Sequence, residues 1–163
     1  MNLWFLLSLV LPTTARLFYL RTSSPLIQAH DNLYVYAYHV AAGRNDAALT
    51  PDIGDARPAF MNGSRIQFTL NSPFLWNLHP TAVNYAAWKP VMINIGQGDD
   101  GFFINSSGLQ WSWAKGFGGW LVCDWYHNKP QLFYLDGFRE HFLPSTCGPV
   151  DLKVQYLDGH SEL

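Results

Sequence analysis

The stretch AFMNGSRIQFTL (residues 59–70) decides the fold class. Asn62-Gly63 divides it into two apolar arms. That dipeptide favours positive φ at both central positions of a type I′ turn, whose twist matches that of two paired antiparallel strands. The same punctuation recurs outward along the chain. Residues 102–113 form a second hairpin around Asn105-Ser106-Ser107-Gly108. Residues 32–40 (NLYVYAYHV) alternate Leu33, Val35, Ala37 and His39 against Tyr34, Tyr36, Tyr38 and Val40. Bulk on both faces places this strand centrally. Residues 84–95 give another strand, in which Pro90 marks an edge or a bulge. Residues 120–126 and 131–135 pair across His127-Asn128-Lys129-Pro130, residues 17–22 open the series and residues 150–157 close it. The polar stretch 41–55 (AAGRNDAALTPDIGD) and the Pro-bounded stretch 71–80 (NSPFLWNLHP) read as loops, and 96–101 and 116–119 as turns. Beyond the N-terminus no long segment keeps a 3.6-residue period. The chain is therefore expected to be all-β, an antiparallel β-sandwich or open barrel of about nine or ten short strands.

An internal echo leaves an alternative open. Residues 60–68 (FMNGSRIQF) reappear as 103–111 (FINSSGLQW) at a constant offset of 43 residues. Two hairpins at that spacing suit a β-trefoil, although no third copy lies 43 residues before or after.

Composition bounds the function. Residues 3–12 form a short apolar run, and Thr13-Thr14-Ala15 supplies small residues before a cut. That is the layout of a secretory signal peptide over residues 1–15, too short to span a bilayer. Residues 16–163 remain as a single all-β domain. The expected location is extracellular, with no membrane contact after cleavage. Charged residues are only 13% and the net charge is -2, so no basic stripe marks a nucleic-acid binder. Aromatic residues reach 16%, so rings must fill a core or be shown to a partner.

Secretion gives the two cysteines, Cys123 and Cys147, a disulfide as their default state, closing the loop 123–147. Two cysteines make no structural zinc site alone, and no His pair lies at ligand spacing beside them. No cofactor is implied. Two sequons, at Asn62 and Asn105, fall on hairpin turns where a glycan could be attached. The C-terminal His160-Ser161-Glu162-Leu163 departs from the endoplasmic-reticulum retrieval pattern at Ser161 and reads as a tail.

Chemistry-bearing groups are sparse. Glycoside hydrolysis needs two carboxylates facing one bond. The candidates are Asp99, Asp100, Asp124, Asp136 and Glu140, of which Asp99-Asp100 sits in a Gly-flanked turn where Asp commonly serves the backbone. Nucleophile-elbow, zincin and P-loop patterns are absent, so the chain is read as non-enzymatic. Trp111, Trp113, Trp120, Trp125 and Tyr126 crowd residues 111–126. Burial accounts for most of them, whereas Trp120, following the glycine-rich turn, is the ring expected at the surface. Exposed, it would anchor a partner or stack on a sugar.

The strings YVYAYHVAAGRNDAAL (34–49), GFFINSSGLQ (101–110), GGWLVCDW (118–125) and PQLF (130–133) resemble a family of small secreted proteins from filamentous ascomycete fungi. Through an F-x-I turn, G-L-Q and a later L-x-C they are distantly similar to the phialide-type fungal cell-wall protein. The resemblance covers most of the mature chain and rests on turns and strands, so it carries over no catalytic residue. It implies a plant-pathogen effector that binds, and inhibits, a host extracellular protein such as a papain-like cysteine protease. The Q-x-V-x-G loop of cystatins is missing. The partner-binding residues on this reading are Gln97, Asp99 and Asp100 in one loop, and Phe117 and Trp120 in another. A wall-associated carbohydrate-binding protein, stacking Trp111, Trp113 or Trp120 on a wall polysaccharide, is the alternative.

Overall fold

The computed structural model describes residues 15–82, 86–137 and 142–159. The expected leader up to Thr14, the C-terminal tail from His160, and Glu140 lie outside these residues. Among the described residues the strands are β1 (Phe18–Ser23), β2 (Tyr34–Ala41), β3 (Arg44–Thr50), β4 (Ala59–Asn62), β5 (Arg65–Phe68), β6 (Trp76–Pro80), β7 (Trp88–Ile95), β8 (Phe102–Asn105), β9 (Gly108–Trp111), β10 (Phe117–Asp124), β11 (Pro130–Asp136) and β12 (Cys147–Tyr156). The only helical segments described are two 3₁₀ turns, Gln28–His30 and Tyr126–Asn128.

Ten strands hydrogen-bond in the order β10-β12-β1-β2-β3-β11-β7-β6-β5-β4, and further pairings β10–β11, β1–β4 and β3–β7 join them into a closed antiparallel barrel of nine strands plus one extra strand. The fold is all-β as expected, with the barrel closed rather than open. Closure removes the exposed edges that a sheet of this size would otherwise present. The trefoil alternative does not describe it. Of the two echoed hairpins, β4–β5 belongs to the barrel wall, while β8–β9 is a separate two-stranded sheet.

Two expected loops contain strands. β3 lies inside residues 41–55, and its whole length pairs with β2, from Arg44 opposite Ala41 to Thr50 opposite Tyr34. β6 lies inside residues 71–80 and pairs with β7 from Trp76–Ile95 to Pro80–Val91. Both carry residues that strands usually avoid, Asn45 and Asp46 in one and Asn77 and Pro80 in the other. Barrel context overrides that local preference. The first hairpin is shifted by one residue from expectation. Asn62 pairs with Arg65, so Gly63-Ser64 form the two-residue loop, and Gly63 takes φ +63°. Glycine in the first central position suits a type II′ turn.

Strand alternation sorts side chains cleanly. Val35, Ala47, Leu49, Ile66, Phe68, Trp76, Leu78, Val91, Ile93, Trp120, Val122, Leu132, Tyr134, Val150 and Leu152 fill the interior. Phe102, Leu109 and Trp111 of the β8–β9 hairpin join the same core, so the hairpin plugs the barrel. The Trp120 indole N–H donates to the Leu109 carbonyl at 2.6 Å, and Phe102 lies parallel to the Trp120 ring. Among the described residues, the interior is thus packed by side chains of the wall and of this hairpin. Near one end Lys89 Nζ reaches Asp136 Oδ2 at 3.0 Å, both buried, with the Trp113 ring over the ammonium. Asp136 is therefore engaged in a structural ion pair.

A second, smaller cluster forms on the outer face, where Leu121, Cys123, Phe133 and Leu135 are covered by Trp88, Trp125, Leu143 and Cys147. Cys123 and Cys147 are disulfide-bonded and directly opposite in the β10–β12 pair. The bond thus joins two paired strands. Cys123 shares its face with Leu121 and Trp125, as the period of two requires.

Two predictions follow from this packing. Replacing both cysteines by Ser lowers stability by roughly 3 kcal/mol, because the unfolded chain regains the entropy of an open loop. Denaturant unfolding measures this, and a midpoint unchanged from the native protein contradicts it. Gly108 has φ +104°, and a Cβ there would collide with the Leu152 backbone carbonyl. Gly108→Ala therefore costs about 3 kcal/mol or more, combining backbone strain with displacement of the plug. A melting temperature equal to that of the native chain contradicts this placement of the hairpin.

Candidate functional site

Side chains pack the described core, and the polar cleft and the solvent-facing rings lie on the outer face and in the loops. The outer face of β2 carries Tyr34, Tyr36 and Tyr38, because Val35 and Ala37 point into the core. Tyr36 and Tyr38 meet edge to face at 6.3 Å, and the His127 ring stacks on Tyr38 at 4.7 Å. The series continues through Tyr126, Trp125 and Trp88, with centroid separations of 6.4, 5.1 and 5.0 Å. Tyr126 is 69% exposed, whereas Trp125 is half-buried against Phe133. A band of aromatic rings thus crosses the outside of the barrel.

The turn that presents this band is strained. His127 and Asn128 have φ +68° and +52°, two consecutive non-glycine residues in the left-handed region. Each such residue costs of order 1 kcal/mol and persists only where surroundings hold it. Here the hold is the Tyr38 stack and the Trp125 N–H donating to the Lys129 carbonyl at 3.3 Å.

Beside the band lies a polar cleft. Tyr38 is opposite Asp46, Asp46 opposite Met92, and Met92 opposite His79, so these four residues form one row across β2, β3, β7 and β6. With adjacent strands about 4.8 Å apart, Tyr38 and His79 are roughly 14 Å apart. The next row places Arg44, Asn94, Asn77 and Gln67 side by side. Asn77, His79, Asn94, Gln97 and Asp99 line the cleft where the row meets the 96–101 loop. The Asn77 amide donates to the Gly96 carbonyl at 2.5 Å. Asn94 Oδ1 is buried and has no hydrogen-bond partner among the described residues.

The loop is held at both ends. His79 Nδ1 contacts Asp99 Oδ2. Asp100 accepts from Ser64 Oγ at 3.1 Å and Arg65 Nη2 at 2.8 Å, while its carbonyl accepts the Trp111 indole N–H at 2.9 Å. The Arg65 hydrogen bond holds the Asp100 carboxyl below its ordinary range. On the band, burial raises Asp46 while His127 and Arg44 pull it back.

The sequence-based site residues are brought together only in part. Gln97 is exposed, and Asp99 and Asp100 share its loop, but their carboxylates bind different partners. Trp120 is 2% exposed, which corrects the expectation of a surface anchor. The glycine-rich segment before it is the start of β10, bulged between Phe117 and Trp120, and alternation from Val122 turns Trp120 inward. Phe117 packs on Trp120 at 4.8 Å and on Trp111. Trp111 is buried too, so neither of these two tryptophans can stack on a sugar. Asp124 is exposed and lies 3.5 Å from the buried His30. Asn62 and Asn105 are both exposed at hairpin ends, Asn62 donating to Gln67 Oε1 at 3.0 Å and Asn105 Oδ1 accepting from the Ser107 N–H. Tyr36, Tyr38, His127, Asn77, His79 and Asn94 escaped the sequence reading. The tyrosines at 34, 36 and 38 were the available signal, since they share one face of a strand. Among the described residues no group of three or more His, Cys, Asp or Glu could hold a metal ion, and no helix is long and apolar enough to cross a membrane.

The His79–Asp99 pair yields a pH prediction. The Asp99 hydrogen bond raises the His79 value above the ordinary histidine range, against the opposing effect of burial. A raised folded value means that the pair's contribution is complete below about pH 6.5, the value in the unfolded chain, and is lost as pH rises through the folded value. The His79 ring therefore titrates above the ordinary histidine midpoint by NMR, and Asp99→Asn brings it back down. A His79 midpoint that does not move in Asp99→Asn contradicts the pairing.

No curated protein and no solved structure matches the chain. Residues 15–156, which include the whole barrel, the aromatic band and the polar cleft, match DUF7907, a domain of unknown function, and the chain belongs to that family.

Proposed function

We propose that the protein is a secreted, non-catalytic carbohydrate-binding protein of the fungal cell surface or its surroundings, using the outer face of the barrel. The carrying observation is the aromatic band Tyr36–Tyr38–His127–Tyr126–Trp125, displayed by a strained turn and continuous with an amide-lined cleft. A sugar ring has an apolar face of C–H groups and a polar rim of hydroxyls. Aromatic faces attract the former through their negative quadrupole, and tyrosine hydroxyls, amides and carboxylates satisfy the latter. A rigid barrel wall presents both at little ordering cost.

The rival reading, an effector that inhibits a host papain-like protease, needs a projecting anchor. Trp120 and Phe117 were to supply it, and burial of Trp120 removes it. What remains for that reading is the exposed, well-held 96–101 loop, which on the proposal forms a wall of the cleft instead.

Sedimentation with insoluble chitin, β-1,3-glucan and cellulose tests the proposal. The protein is expected to pellet with at least one of them. Tyr126→Ala, at a largely exposed position, should weaken that binding about tenfold without changing the melting temperature, as loss of one stacking ring predicts. Papain activity should be unaffected by added protein. Recovery of the protein in the supernatant with all three polymers, or inhibition of papain at stoichiometric concentration, overturns the proposal.

A further inference from the structure

We infer that the cleft formed by Asn77, His79, Asn94, Gln97 and Asp99 is a second, hydroxyl-reading subsite, and that one neutral oligosaccharide spans it and the aromatic band. This rests on the carbohydrate reading above and adds to it the length and charge class of the ligand. Three observations carry it.

The first is an unmet acceptor. Asn94 Oδ1 is buried without a hydrogen-bond partner among the described residues, and its residue lines the cleft. A buried amide oxygen left unpaired costs roughly as much as a lost hydrogen bond, so a shift of this half-buried side chain that brings its oxygen to a ligand donor is favoured. A sugar hydroxyl can donate to it and accept from a neighbouring amide at once.

The second is orientation. His79 is held through Nδ1 by Asp99, which leaves the Nε2 edge of a 42% exposed ring for a ligand. Asn77 is pinned to the Gly96 carbonyl, which fixes the backbone of the loop that bears Gln97. Polar groups locked by their neighbours recognise hydroxyls with less entropy loss than free ones.

The third is continuity. The row Tyr38–Asp46–Met92–His79 connects the two regions on one face, over roughly 14 Å. That is beyond one sugar ring and within reach of a short oligosaccharide. The ligand's charge follows from the groups along the way. His79 is paired with Asp99 and Arg65 with Asp100, and the Asp46 carboxyl stands in the connecting row itself. A neutral chain crosses this row without breaking either pair, whereas an acidic one must pass Asp46 and compete with Asp99 and Asp100 for their partners.

Titration calorimetry on the full mature chain, with laminari- and chito-oligosaccharides of two to six units and with hexameric oligogalacturonate, tests the inference. One neutral series is expected to gain affinity with length, and the acidic hexamer to bind at least tenfold more weakly than the best neutral hexamer. Asn94→Ala and Gln97→Ala should each lower affinity for that hexamer about tenfold, the effect of one or two lost hydrogen bonds, while leaving its dimer unchanged. Tyr126→Ala should weaken dimer and hexamer alike. Gln97 is exposed, so its replacement keeps the fold even if Asn94→Ala does not. If Tyr126→Ala weakens binding and Gln97→Ala does not, the subsite is wrong and the carbohydrate reading stands. If neither neutral series binds the native protein, both fall. Stronger binding of the acidic hexamer overturns the charge assignment.

Discussion

The buried indole of Trp120 ties the molecule together. Its ring stands among the core side chains of the barrel, while its N–H is satisfied by the Leu109 carbonyl of the separate β8–β9 hairpin. An indole N–H without a partner in an apolar interior is costly, so the hairpin cannot leave without exposing it. The hairpin in turn brings Phe102, Leu109 and Trp111 into the barrel and fills it. The side chains that alternation turns away from this packed core are the ones the barrel offers to solvent.

That constraint explains where the polar residues went. β3, β6 and β7 each spend their inward positions on apolar packing, apart from Asn45 and Lys89, and leave Asp46, Asn77, His79 and Asn94 outward. Adjacent strands in antiparallel register put these residues shoulder to shoulder, so a polar row forms across four strands from residues far apart in the chain. The inward exceptions are themselves satisfied. Asn45 donates to the Ile93 carbonyl at 3.1 Å and Lys89 meets Asp136. A buried ion pair of this kind is weak support for stability, since desolvation offsets most of the attraction, but losing one partner would strand the other charge.

The all-β class, both hairpins, the β10–β11 pairing and the disulfide were legible because each rests on local signals: turn residues, strand alternation and the pairing of two cysteines. β3 and β6 were not. Their Asn, Asp and Pro content reads as loop locally, and only the ladders supplied by β2 and β7 make them strands. The site was less legible still. Gln97, Asp99 and Asp100 stood out because a Gly-rich loop advertises itself, and the structure places all three in that loop. The amides they face come from β6 and β7, and register alone brings them together. Trp120 was misplaced for a related reason. Counting from the glycine-rich turn makes it a loop residue, whereas counting back from Val122 within β10 makes it core.

The distribution of aromatic residues is the last step. In this chain the rings taken into the barrel are chiefly Phe and Trp, among them Phe18, Phe102 and Trp120. Along β2 the outward rings are all Tyr, at 34, 36 and 38, and Tyr19 and Tyr126 lie beside them. Tyrosine keeps its hydroxyl hydrated while its ring covers neighbouring apolar surface, so a tyrosine-lined wall is stable in water without a partner. The turn joining β10 and β11 takes the twist of its paired strands through two consecutive left-handed residues, His127 and Asn128, of which Asn tolerates that region well. It sets the His127 ring on Tyr38 and leaves Tyr126 projecting, so the connection and the outward rings are fixed together.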